Sequence, residues 1–357
     1  MKFLSVAIAF SVLRVAVSAD EQNVSYAQER LSGQSLDHGN LSPVLPLSID
    51  PHSNAVLYLA AGPKIVLNRY DESWSRLVAQ TPIGNGSHAA VVEGRSVVVS
   101  ICGGPPGLVM SDYAGRTLRK SSSFPDGYPT GLAVSDDGSS VAVQVIRQGE
   151  AGTIRTCVAR FDSEWSAFAE TLDAAYPSYI DGTEDLLVAV KSPGESDDQW
   201  RVGGFSKGSD TAKWIDHKTV DLFQPTNLIS GDDREICGFR IVEPDRRSII
   251  CVNRVTGVER VISREGGDLF VPRPVRGERV VYLDVERKGP APNVDPCPLA
   301  DLVISNWNGE EHGRWKDAIS PSLGAFVVSR DRRMIFWAGI ADRPTCSRVI
   351  RILELVN

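Results

Sequence analysis

The chain has 357 residues, 42% of them hydrophobic and 23% charged, which fits a soluble globular protein with one large repeat domain or two ordinary ones. The formal net charge is −7, which argues against a surface that coats nucleic acid, because such a surface is basic.

Residues 1–19 read as a secretory signal. Lys2 supplies a positive start, Phe3 to Leu13 form an apolar run, and Val17-Ser18-Ala19 offer small residues before a cut preceding Asp20. Arg14 interrupts the apolar stretch, which is too short to span a bilayer. No membrane insertion is expected of the mature chain, and its expected location is outside the cell or in the secretory lumen. Residues 20–42 form an N-terminal segment, and residues 43–357 form the main domain. Sequons at Asn23, Asn40 and Asn85 are candidate glycosylation sites.

From residue 43 onward one phrase recurs. A Pro or Ser opens it, then come a short apolar strand, an acidic or Gly turn, and a second apolar strand. The clearest copies are Tyr128-Pro129-Thr130, Tyr176-Pro177-Ser178 and Gln224-Pro225-Thr226. Pro272 and Pro321-Ser322 follow in step, giving spacings of 48, 48, 47 and 49, and earlier copies start at Pro43 and Ser87. A period of about 40–50 residues built from short strands is the pattern of a β-propeller.

The expected architecture is all-β. It has seven blades, near 43–82, 87–122, 129–172, 177–217, 225–263, 270–318 and 321–356, with six blades as the alternative. In blade three, strand A is Thr130 to Ser135, and Asp136-Asp137-Gly138 makes the hairpin turn. Strand B is Val141 to Ile146, strand C about Ile154 to Phe161, and strand D about Ala167 to Leu172. The last repeat lacks room for a fourth strand, so an N-terminal strand is expected to close the ring, with Val24 to Leu31 as the candidate. Arg69-Tyr70-Asp71-Glu72-Ser73-Trp74-Ser75 recurs as Arg160-Phe161-Asp162-Ser163-Glu164-Trp165-Ser166. Those two Trp residues read as blade-to-blade packing with a locally satisfied indole N–H rather than as a ligand cage.

The strand–acidic turn–strand phrase, seen in Ala133-Val134-Ser135-Asp136-Asp137-Gly138 and Val327-Val328-Ser329-Arg330-Asp331, resembles the secreted TolB-like, NHL and YVTN-like propellers. The Gly-His and Trp-Asp dipeptides of WD40 repeats are absent. These groups include binding scaffolds, lyases and lactonases, so the resemblance implies a fold and leaves the function open.

In a propeller the D–A and B–C loops surround one mouth of the channel. That register nominates His88, Tyr128, Tyr176, Gln224, Arg273 and Ser322 on the D–A side, and Arg147, Glu243 and Glu286 on the B–C side, as ligand-binding residues. The turn acids Asp50, Asp136, Asp137, Asp181, Asp232, Asp233 and Asp331 read as hairpin chemistry rather than a metal ring. Gly204-Phe205-Ser206-Lys207-Gly208 matches G-x-S-x-G, but no helix is expected to follow it, so Ser206 is not taken as a nucleophile.

The six cysteines allow fifteen pairings. Cys237 with Cys251 is favoured, on facing B and C strands. Cys102 with Cys157 and Cys297 with Cys346 would join neighbouring blades. The expected function is non-enzymatic binding of a protein, peptide or glycan at the channel mouth by a monomer without cofactor. The alternative is a metal-assisted lactonase or hydrolase, using Ca²⁺ or Mg²⁺, or a lyase, acting from the same mouth.

Overall fold

The computed structural model describes residues 34–39, 41, 43–121, 124–148, 154–161, 164–165, 167–172, 174–179, 185–191, 199–206, 213–214, 222–223, 235–243, 246–253, 256–286, 299–319, 326–342 and 346–355. The signal segment, Val24 to Leu31, Asn23, Asn40, Gln224, Cys297, Ser322 and the turn acids Asp181, Asp232 and Asp233 lie outside them. Among the described residues the secondary structure is β-strand, apart from one turn of 3-10 helix at Pro51–Ser53.

The described strands are grouped by the expected repeats, in chain order. The first repeat holds β2 (Pro43–Asp50), β3 (Ala55–Ala60) and β4 (Lys64–Tyr70), preceded by the short β1 (Gln34–Leu36). Then β5 (Leu77–Val92) serves two repeats at once. Its first half pairs with β4, and its second half pairs with β6 (Val97–Cys102), which is followed by β7 (Gly107–Asp112) and β8 (Thr117–Lys120). The third repeat is the four-stranded sheet β9 (Tyr128–Val134), β10 (Val141–Gln148), β11 (Ile154–Phe161) and β12 (Ala167–Leu172).

The fourth repeat has β13 (Ala174–Tyr179), β14 (Leu186–Lys191), β15 (Gln199–Phe205) and β16 (Lys213–Trp214), with β17 (Leu222–Phe223) also on β15. The fifth is described for β18 (Glu235–Glu243), β19 (Arg246–Asn253) and β20 (Glu259–Ile262). The sixth has β21 (Gly267–Val275), β22 (Arg279–Glu286), β23 (Ala300–Asn306) and β24 (Glu311–Ile319). The last has β25 (Phe326–Val328), β26 (Met334–Asp342) and β27 (Ser347–Glu354).

Consecutive sheets pack face to face, so B and C strands are apolar on both faces and lack the alternation of a solvent-facing strand. Ala55, Leu57, Ile65 and Leu67 of the first sheet meet Ala89, Val91 and Val98 of the second. Ala142 and Val158 of the third meet Leu186 and Val188 of the fourth, and Ile249 of the fifth meets Leu269 and Val280 of the sixth. The last repeat packs back on the first, where Phe336, Ile350 and Ile352 share a core with Ile49, Val56 and Tyr58.

The strand that pairs with β27 is β1, with Gln34 opposite Ile352 and Leu36 opposite Ile350. It lies in the N-terminal segment, downstream of Val24 to Leu31. The turn after it is held by the first repeat. Tyr70 donates its hydroxyl to the Asp37 carbonyl at 2.7 Å, and Gln80 donates its amide to the His38 carbonyl at 2.7 Å. Asn68, fully buried, ties Tyr70 and Gln80 together. Burial pushes the Tyr58 phenol up to about 12 and the Tyr70 phenol higher still, so both stay protonated donors.

Cys237 and Cys251 are register partners on β18 and β19 and form a disulfide. The Cys102–Cys157 pairing is corrected, since both are free thiols. Cys102 bonds Ser100 at the end of β6, whereas Cys157 is buried on β11 and donates to Glu170 at 3.0 Å. Burial and the neighbouring carboxylate push the Cys157 thiol up to about 12. The Cys297–Cys346 pairing falls outside the described residues.

Trp74 and Trp165 are buried in separate cores, with left-handed φ of 59° and 58° in equivalent turns. Arg119 lies over the Trp165 ring at 5.5 Å. The indole N–H of Trp165 meets no acceptor among the described residues, contrary to the expectation that it is satisfied locally.

Candidate functional site in the channel

Three innermost strands carry the Pro phrase among the described residues, and β9, β13 and β21 are each kinked there. Proline offers no N–H to a ladder, so it sits where the register slips. The slip takes in Thr130 beside Pro129 in β9, Tyr176-Pro177 in β13, and Val271-Pro272 in β21. Tyr176 and Val271, both just before the proline, adopt left-handed φ of 56° and 53°. Gln144 clamps two of these kinks, accepting the Tyr176 N–H at 2.6 Å and donating to the Thr130 hydroxyl at 2.9 Å.

The kinked strands surround a cavity of about 320 Å³, at the small end of ligand sites. Its wall draws on β2, β5, β9, β13, β21 and β25 and on the turns that follow β5 and β25. Leu47, Ala90, Leu132, Pro274 and Val327 supply apolar wall; Glu93, Tyr176, Ser178, Arg273, Arg330 and Arg332 supply polar groups. The cavity therefore sits toward the A–B turns, whereas the sequence placed the site among the D–A and B–C loops.

Three A–B turns meet at this end. Val92, Ser135 and Ser329 each accept the N–H of the third residue on, at 3.1, 2.9 and 2.9 Å, so Glu93, Asp136 and Arg330 hold one equivalent position. Arg330 pairs with Asp136 at 2.7 Å, and its backbone N–H donates to Glu93 at 2.7 Å. Burial, the largest cause, pushes the Glu93 carboxyl up to about 7 despite Arg330. Burial also pulls the Arg273 guanidinium down to about 10 and raises the Tyr176 phenol. Asp137 and Asp331 behave as turn acids, each accepting a Ser hydroxyl (Ser135, Ser329) and a backbone N–H (Ser139, Arg333). Asp50, fully buried, accepts from Tyr113 at 2.7 Å and from the Gly94 N–H at 3.2 Å, joining the first two repeats.

Of the nominated residues, Tyr176 and Arg273 line the cavity. His88 bridges repeats instead, its ring bonded to Ser87 at 2.7 Å and to the Thr130 backbone, and burial lowers its pKa. Arg147 is paired with Glu170 at 2.7 Å and donates to the Asp126 carbonyl at 2.7 Å. Tyr128 is 68% exposed at the start of β9. Glu243 and Glu286 end the B strands β18 and β22, and their side chains are outside the described residues. Ser206 follows β15, where its carbonyl accepts from Arg160 at 3.1 Å. No cluster of metal-ligating side chains occurs among the described residues. Sequence reasoning missed Glu93, Arg330 and Arg332. For Glu93 and Arg330 the available signal was a single turn position that carries opposite charges in different repeats.

No protein-family model matches the chain, and no curated protein matches it. Solved structures do. The Pyrococcus horikoshii acylaminoacyl peptidase aligns at 11% identity and TM-score 0.60 over 89% of this chain and 53% of its own. The chain thus spans about half the length of that enzyme. The β-propeller domain of the trilobed protease from Pyrococcus furiosus, described as having an open velcro topology, aligns at 10% identity and TM-score 0.58 over 90% of this chain and 97% of its own. An oligogalacturonate lyase in complex with manganese aligns at 10% identity and TM-score 0.58 over 92% and 96%. These likenesses give no support to the TolB-like or NHL grouping in particular. At such identities they speak to architecture alone, and that architecture is a β-propeller.

Proposed function

We propose that this chain is a secreted seven-bladed propeller, closed by β1 on β27, that binds the polar end of a peptide or glycan in its central channel. The observation that carries the reading is convergence: six innermost strands bring Tyr176, Ser178 and Arg273 to one cavity with apolar walls. Secretion rests on residues 1–19 and is compatible with the Cys237–Cys251 disulfide. No helix among the described residues is long and apolar enough to cross a membrane. The test is binding of residues 20–357 to arrays of glycans and peptide termini. Tyr176→Ala and Arg273→Gln should each weaken captured ligands about tenfold or more. Unchanged binding in both variants would remove the channel as the site.

A second reading is an enzyme of hydrolase or lyase type. It is favoured by Glu93, whose carboxyl titrates near 7 in the same cavity as Tyr176 and Arg273, a range suited to proton transfer at neutral pH. Turnover on a panel of esters, lactones and acidic glycosides, lost in Glu93→Gln, would establish it. Elemental analysis of dialysed protein tests its metal-assisted form for Ca²⁺ or Mg²⁺.

A further inference from the structure

The turn after β25 touches repeats that are not its neighbours. Around the channel β25 packs on β2, β2 on β5, and β5 on β9. The first repeat therefore separates the last from the second, and the first two separate it from the third. Yet the Arg330 N–H donates to Glu93 Oε1, in the turn after β5, at 2.7 Å. The Arg330 guanidinium reaches further, to Asp136 at 2.7 Å and to the Val134 carbonyl at 3.4 Å in the third repeat. In a ring of six or seven blades, repeats three steps apart lie on opposite sides. A contact between them is a chord across the channel, and Arg330 makes it.

Further bonds gather on the same end. The Arg332 carbonyl accepts the Arg276 N–H from the turn after β21 at 3.1 Å, and Asp50, at the end of β2, accepts the Gly94 N–H beside Glu93 at 3.2 Å. Arg330 and Asp331 from the turn after β25, Asp50 from β2, and Tyr113, whose hydroxyl lies on Asp50, are the groups whose charge bears on Glu93. Burial foremost, with Asp331 and Asp50, outweighs the pull of Arg330, and the Glu93 carboxyl keeps its proton to about 7. When the turn swings out, water reaches that carboxyl and restores its ordinary value of 4.5. The shut form thus holds the proton more tightly. It is favoured most below about pH 4.5 and loses ground as pH rises through about 7.

We infer that the turn after β25 is a latch: Arg330 bolts it across this end of the channel, and loss of the Glu93 proton releases it.

The experiment is hydrogen exchange of the purified protein at pH 5.5 and pH 8.5, resolved to single amides and corrected for the intrinsic effect of pH. Protection of the Arg330 amide should fall about thirtyfold between the two. It should also lie at least about tenfold below that of the β10 amides at both pH values, because the latch opens without the sheets unfolding. Glu93→Gln should abolish the fall. Arg330→Gln and Asp136→Asn should each lower protection at pH 5.5 about two- to fivefold. Protection that is constant or rises with pH, as a tighter bond to the carboxylate would give, overturns the inference. So does a fall that Glu93→Gln retains, protection equal to that of β10, or wild-type protection at pH 5.5 in both Arg330→Gln and Asp136→Asn. The measurement needs no ligand, so each of those results leaves the channel reading standing.

Discussion

Asp136 and Arg330 occupy the same turn position in two different repeats and pair with each other, Oδ1 to Nη2, at 2.7 Å. Repetition of one hairpin around a common axis makes that contact available. Equivalent turns converge there, and opposite charges at the equivalent position tie the third repeat to the last. The side chains remain 34% and 27% exposed, so solvent screens the pair. A double-mutant cycle with Asp136→Asn and Arg330→Gln should give a coupling of about 0.5–1 kcal/mol in urea unfolding. Strict additivity would show that the two turns do not hold each other in solution.

Glu93 makes stability depend on pH in an unusual direction for a carboxylate. Its pKa rises from 4.5 to about 7 on folding, chiefly through burial. Between those values the folded chain keeps a proton that the unfolded chain has lost. Stability from this group is therefore full below about pH 4.5 and declines as pH rises through about 7. Glu93→Gln keeps an oxygen for the Arg330 N–H and removes the titration. The variant should gain about 1–3 kcal/mol on wild type between pH 4.5 and pH 8, read from urea midpoints. A parallel pH profile for the two proteins would mean that Glu93 titrates normally.

Much of the strand layout was legible because it is local. β10 through β12 start at Val141, Ile154 and Ala167, where the short runs read as strands in the sequence start. The pairing of Cys237 with Cys251 follows from a hairpin whose register is fixed by its turn. The cavity was less legible. Arg273 follows Pro272 and looked like a loop residue, yet the slip at Val271-Pro272 carries it into the channel wall two residues before the turn. Arg147 was nominated for the rim without its partner, because Glu170, which pairs with it, lies on a strand two removed. Such pairings depend on the packing of strands and repeats, which no single repeat encodes.

The disulfide closes a loop of sequence separation 14, and loop closure of that size is worth about 3 kcal/mol. Urea unfolding with and without reductant should differ by about that amount. Peptide mapping after alkylation in denaturant without reduction should recover Cys237 linked to Cys251, and Cys102 and Cys157 each alkylated. Finding Cys102 joined to Cys157 would contradict the placement of those thiols.

β1 is only three residues long, so its hold on β27 depends on what it buries. Leu36 is 4% exposed and packs with Ile350, Ile352 and Phe336 in the core shared by the last and first repeats. Without that strand β27 presents an open edge, a template for pairing with other chains. Leu36→Ala should cost about 2–4 kcal/mol, whereas Ser35→Ala, at an exposed position, should change stability by less than about 0.5 kcal/mol. Tyr70→Phe removes the bond to the Asp37 carbonyl without touching β27. It should raise hydrogen exchange along Gln34–Leu36 and along the facing Ile350–Ile352 edge together, because the two segments share one ladder. Faster exchange confined to the turn after β1 would mean that the strand is held by its own pairing, and the clasp of Tyr70, Asn68 and Gln80 would then be dispensable for closing the last repeat.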